Sequence, residues 1–139
     1  MSSKTLYTAQ VHTVGGREGA ARSSDGQLDI KLSPPGINRP GTNPEQLFAA
    51  GWSACFEGAL GLAARQAGIQ LPSDTAIDAE VDLNQGDDGY FLTARLNVRI
   101  PGIQDDVAQS LVDAAHATCP YSKMAKSGID AKVSLAVPA

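Results

Sequence analysis

The chain has 139 residues, 42% hydrophobic and 19% charged, with a formal net charge of −4 and two cysteines. That length and composition predict a single soluble domain, residues 1–139, with a core of its own. There is no basic run to bind nucleic acid, two cysteines are too few for a disulfide scaffold, and MSSKTLYTAQ lacks the apolar stretch of an export signal. The expected compartment is the cytoplasm, where unpaired thiols stay reduced.

Residues 5–14 read as a first strand with imperfect alternation, and GGREG, 15–19, as a glycine-rich turn. Residues 20–24 and 27–32 flank Asp25-Gly26, which favours a tight hairpin, and LDIKL alternates cleanly. SPPGINRPGT, 33–42, holds three prolines and two glycines and is a loop. A helix start follows: Asn43 as cap, Pro44 at the first helical position and Gln46 completing a capping-box pattern. The periodic segment runs to Ala67, with Gly68 to end it, a length of roughly 36 Å. Glu45, Glu57, Arg65 and many small residues argue against a membrane helix.

Residues 76–84 and 90–100 are strands joined by the turn QGDDG. A second helix is expected over 104–117, a short third from Pro120 to Gly128, and a last strand over 131–137. Strands and helices come in groups, which predicts an α+β fold with mainly antiparallel sheets.

The stretch AAGWSACFEGAL places Cys55 inside the long helix. At 100° per residue, Phe48, Gly51, Trp52, Gly58, Ala59 and Leu62 fall within about 60° of it. Ala50, Ser53, Leu60 and Ala64 lie opposite. A helix apolar almost all round is expected to be covered on both sides, by sheet or by a second chain. A buried mid-helix cysteine usually packs as a small hydrophobe, and burial raises a thiol's pKa. A reactive Cys55 therefore requires a fixed cation. Arg17 in GGREG and Arg39 in the proline loop are candidates, and Arg17 is the better one because flexible glycines flank it. A buried arginine needs a carboxylate, and Glu45 is available. Glu45 is ten residues before Cys55, a rise of about 15 Å, so only a long arginine, a bent helix start or a second chain joins the three.

Cys119 lies in ATCPYSK, just before Pro120. A thiol at a helix start gains from the helix dipole, which nominates Cys119 as the more acidic of the two and leaves open which attacks first. A Cys55–Cys119 disulfide needs Cα atoms within about 7 Å, which spacing in sequence does not test. His116 and Cys119 form an H-x-x-C pair, but a zinc site wants three or four ligands, and only Cys55, His12 and carboxylates remain.

GGREGAARSSDG, LDIKLSPPG, GTNPEQLFAAGWSACFEGAL and AHATCPYSKMA closely resemble the corresponding segments of the organic hydroperoxide resistance (Ohr) proteins of the OsmC/Ohr family. The likeness runs in family order from about Tyr7 to the last strand. It implies a thiol peroxidase that reduces organic hydroperoxides, fatty-acid hydroperoxides included, to alcohols. Cys55 matches the peroxidatic cysteine, Cys119 the resolving cysteine, Arg17 the arginine that holds the thiolate and Glu45 the glutamate that fixes that arginine. The implied fold is an intertwined homodimer with antiparallel sheets wrapped around central helices, without metal, bound cofactor or membrane insertion. The implied reductant is an external dithiol of the dihydrolipoyl type, such as a lipoylated protein. Two features depart from the pattern: Trp52 stands where a smaller aromatic such as tyrosine is expected, and CPYSKMAK is more positive than expected.

Overall fold

The computed structural model describes residues 3–136. The chain divides into two compact units, one up to Phe48 and one from Ala49 onward.

In the first unit, β1 (Val11–Val14), β2 (Ala20–Ser23) and β3 (Asp29–Lys31) form an antiparallel sheet in that order. The strand β1 covers only Val11–Val14 of the expected 5–14, from Val11↔Ser23 to Val14↔Ala20, and one further bond, Ser24 N–H to Gln10 O at 3.0 Å, continues it. Gly15 and Gly16 both take left-handed φ, 75° and 57°, a step that side chains disfavour. This step opens the 3-10 turn Gly16–Glu18, which carries Arg17. The Asp25-Gly26 turn is wider than the two residues expected. Ser23 N–H reaches Leu28 O at 2.8 Å, and the Asp25 carboxylate accepts from Ser23 Oγ at 2.6 Å and Gln27 N–H at 3.0 Å. The proline loop closes where Leu32 bridges Thr42.

The helix α1 (Pro44–Gln66) starts as its sequence dictates. Asn43 Oδ1 accepts the Gln46 N–H at 2.9 Å, satisfying one of the orphan donors of the first turn. The return half of the capping box is absent, since Gln46 Oε1 instead accepts from Thr42 Oγ1 at 2.7 Å. Asn43→Ala is expected to cost about 1 kcal/mol. Urea denaturation followed by circular dichroism measures it, and a loss near zero would mean the cap contributes nothing.

In the second unit, α1 ends where Gly68 takes φ 71° and Ile69 N–H bonds Ala64 O at 2.8 Å, a glycine C-cap. The hairpin of β4 (Ala76–Gly86) and β5 (Gly89–Arg99) pairs without a break from Ala76↔Arg99 to Gly86↔Gly89, leaving only Asp87-Asp88 as the turn. Its outer face is laced by ion pairs, Arg95 with Glu80 and Asp82, and Arg99 with Asp78. The Arg95 guanidinium, with Thr93, holds the Asp82 carboxyl down at about 2. The helices α2 (Asp105–Thr118) and α3 (Pro120–Ser127) follow, and Gly128 at φ 81° ends the last. The strand expected over 131–137 is not seen over 131–136: among the described residues this segment has no strand partner, and Val133 and Leu135 are 99% and 89% exposed. Val137 lies outside the described residues. A strand is a pairing, and a lone extended segment has no ladder to join.

One stripe of α1 is buried: Trp52, Phe56, Leu60 and Ala64, each one turn from the next. Leu60 and Ala64, expected opposite Cys55, are completely buried, whereas Leu62, expected beside it, is 47% exposed. Ala50, Ala54 and Gly58 are exposed as well. A uniformly apolar helix has no strong polar face to set its phase, so the neighbouring elements choose which side is covered.

Candidate active site

Arg17 and Glu45 meet within the first unit. The 3-10 turn presents Arg17, and the first turn of α1 presents Glu45. The guanidinium donates twice, Nη1 to Oε1 at 3.0 Å and Nη2 to Oε2 at 2.8 Å, a bidentate fork that fixes its plane as well as its place. The arginine side chain keeps 43% of its exposure and the glutamate 13%. The paired guanidinium holds the Glu45 carboxyl below the usual carboxylate range, and Glu45 raises Arg17 in turn. Arg39 is held instead near Glu18, at 3.9 Å. Arg17 also lines an apolar hollow of about 360 Å³ with Val11, Ala21, Ile30, Leu32 and Leu47.

Cys55 and Cys119 meet within the second unit. The two residues are 64 apart in sequence, and their sulfurs are 3.5 Å apart, both as free thiols. Cys119 is completely buried, while Cys55 is half-buried, at the edge of the buried stripe of α1. The sulfurs need to approach by only about 1.5 Å to form a disulfide.

The start of α3 also bears on Cys55. Cys119 is its N-cap, with φ −62° and ψ 124°, and its side chain makes no capping bond. Pro120 has no N–H, so Tyr121 carries a first-turn donor that no helical carbonyl can use. That N–H is directed to the Cys55 thiol. The helix start therefore also favours negative charge on Cys55. Burial nevertheless pushes the Cys55 thiol up. The Tyr121 N–H opposes that rise, and the neighbouring Cys119 adds to it, first through the sulfur–sulfur hydrogen bond and then through charge.

Two residues that sequence reasoning did not assign to this site stand beside the thiols. One is Tyr121, through its backbone; the signal was Pro120, which frees the next N–H, although its target was not readable. The other is Ser122, whose buried hydroxyl accepts the Trp52 indole N–H at 3.1 Å. Beyond them an apolar cavity of about 280 Å³ is lined by Trp52, Phe56, Leu96, Val98, Val112 and His116, among others. The His116 ring lies 6.4 Å from that of Phe56, centroid to centroid. Among the described residues no three His, Cys, Asp or Glu gather as a metal would require.

Two free thiols in contact beside a helix N-terminus are suited to thiol redox chemistry. Comparison with known proteins shows the family. The sequence model of the OsmC-like protein family matches residues 36–134. The organic hydroperoxide resistance protein of Xanthomonas axonopodis pv. citri (strain 306) is 46% identical over 137 residues, 96% of each chain. The crystal structure of OhrB, an organic hydroperoxide resistance protein of Bacillus subtilis, superposes with a TM-score of 0.83 at 40% identity, covering 91% of this chain and 96% of that one. A Vibrio cholerae structure, described as an organic hydroperoxide resistance protein with captopril in one active site, gives 0.84 at 34% identity, covering 94% and 92%. The chain belongs to the OsmC/Ohr family, in its organic hydroperoxide resistance group.

Proposed function

We propose that the protein is a cytoplasmic thiol peroxidase that reduces organic hydroperoxides, fatty-acid hydroperoxides among them, to alcohols. The observation that carries this reading is the contact of the Cys55 and Cys119 sulfurs at 3.5 Å, with a helix N–H on Cys55. In this mechanism Arg17, oriented by Glu45, supplies the cation that a partly buried thiolate needs. The Cys55 thiolate attacks the distal peroxide oxygen. The O–O bond breaks, the alkoxide leaves and takes a proton to become the alcohol, and Cys55 is left as a sulfenic acid. Cys119 then attacks the Cys55 sulfur, the S–S bond forms and water departs. An external dithiol of the dihydrolipoyl type exchanges with the disulfide, restoring both thiols and leaving as its own cyclic disulfide. The captopril in the Vibrio cholerae relative is itself a thiol, consistent with access for a thiol reductant.

The working unit in this reading is one domain, made a homodimer by a second copy. The family match runs across both units, and the uncovered face of α1, with Val133 and Leu135 exposed, is apolar surface that a single chain leaves in water.

Stopped-flow consumption of cumene hydroperoxide with dihydrolipoic acid tests the function directly. Repeated turnover is expected, faster with cumene hydroperoxide than with hydrogen peroxide. A single stoichiometric oxidation without recycling would make the protein a redox sensor instead. Equal rates with both peroxides would favour the broader OsmC-type peroxidase.

A further inference from the structure

The hydrogen bond between Trp52 and Ser122 takes no part in the chemistry above, yet it is placed with respect to it. Ser122 is completely buried and Trp52 is 9% exposed. An indole N–H can only donate, so the serine hydroxyl accepts, at 3.1 Å. Trp52 is three residues before Cys55 on α1, and Ser122 is three residues after Cys119 at the start of α3. Residues three apart on a helix are neighbours on one face. The buried bond thus runs alongside the thiol pair, about one turn away from it on both elements.

Two further contacts reinforce this side of α3. The Tyr121 N–H meets Cys55, and Gly51 makes room for the Tyr121 ring: a Cβ on Gly51 would stand 2.7 Å from the tyrosine hydroxyl oxygen. The helix α3 has eight residues. A helix that short is held by packing rather than by its own hydrogen bonds.

We propose that the Trp52–Ser122 hydrogen bond is a positioning device for the second step of the reaction: it pins the start of α3 to α1, so that Cys119 reaches an oxidised Cys55 before a second peroxide does. The proposal rests on the peroxidase reading. Two outcomes compete for the sulfenic acid. Attack by Cys119 forms the disulfide and releases water. Attack by the sulfenate on a second hydroperoxide forms a sulfinic acid and an alcohol, which thiols do not reverse. The first route needs the 3.5 Å sulfur contact to survive oxidation of Cys55; the second needs only time. Ser122 and Trp52 are positioning residues, and their effect falls on the ratio of the two products.

The test uses the full chain, reduced and then treated with rising cumene hydroperoxide. Mass spectrometry counts disulfide against sulfinic acid, and stopped flow follows each step. In Ser122→Ala, oxidation of Cys55 is measured separately from the step that follows it. Disulfide formation is expected about fivefold slower, the worth of one net hydrogen bond, and sulfinic acid to appear at correspondingly lower peroxide. Trp52→Phe, which keeps an aromatic ring but has no N–H, is expected to shift the ratio in the same direction, and the double variant no further than the stronger single one. A purely structural bond would lower the melting temperature and leave the ratio at its wild-type value, and that result overturns the proposal. If Ser122→Ala does not fold, the ratio in Trp52→Phe decides alone. The wild-type arm separates the two readings. No Cys55–Cys119 disulfide in wild type sinks the peroxidase mechanism itself, whereas a normal disulfide with unchanged ratios in the variants sinks only the positioning role.

Discussion

Cys55→Ser is expected to abolish the first turnover with cumene hydroperoxide, while Cys119→Ser retains it and loses recycling. The asymmetry follows from the local geometry. Both sulfurs are in contact, but the N–H at the start of α3 is directed to Cys55, and Cys55 is the half-buried one. A peroxide can approach an edge thiol; it cannot reach one that is completely buried without movement of the protein. The loss in Cys55→Ser should be essentially complete, because a hydroxyl is not ionised at neutral pH and is a poor nucleophile toward the O–O bond. In Cys119→Ser the oxidised product should be sulfenic acid and then sulfinic acid, with no intramolecular disulfide. Rapid-quench mass spectrometry distinguishes these species. Wild-type burst kinetics in Cys55→Ser would overturn the assignment and make Cys119 the nucleophile.

Arg17→Ala is expected to slow that first oxidation by about 10- to 100-fold, the range given by one charge-assisted hydrogen bond of roughly 1.5–3 kcal/mol. Glu45→Gln should act in the same direction and more weakly, since it removes the fork's charge and one acceptor oxygen but leaves the arginine in place. Burial and Cys119 push the Cys55 thiol up, so a thiolate at neutral pH depends on an added cation. Titration of the thiolate by its ultraviolet absorbance should therefore give a higher Cys55 pKa in Arg17→Ala than in wild type. Identical titrations would remove Arg17 from the mechanism.

The same pair makes a stability prediction with a definite sign. Glu45 is lowered in the folded protein, so its contribution is present above the ordinary carboxylate range and is lost as pH falls through the lowered value. Melting temperature should fall less steeply in acid for Glu45→Gln than for wild type. Steeper loss in the variant would show that the pair is not a source of acid sensitivity.

Local chemistry made much of the chain legible. Asn43 and Pro44 mark the start of α1 because an exposed N–H needs an acceptor and proline needs none. The alternation in AIDAEVDLN and YFLTARLNVRI determines β4 and β5, and Pro120 and Gly128 bracket α3. Those are decisions taken within a few residues. That a reactive Cys55 requires a cation, and that cation an anion, is likewise an argument from the solvation of charge alone.

Tertiary structure decided the rest. Periodicity could not phase α1, because nearly every side of it is apolar, and packing selected the stripe from Trp52 to Ala64. The 131–136 segment reads as a strand, but among the described residues no other backbone pairs with it. The dipole argument at Cys119 did not show that the first turn of α3 also serves Cys55. Proline at the first position frees the next N–H, and the direction of that N–H depends on what α1 presents beside it. The 3.5 Å contact between Cys55 and Cys119, and the bond from Trp52 to Ser122, join residues 64 and 70 positions apart. Spacing along a chain carries no distance across such a gap, so only the packing of α3 on α1 brings these groups together.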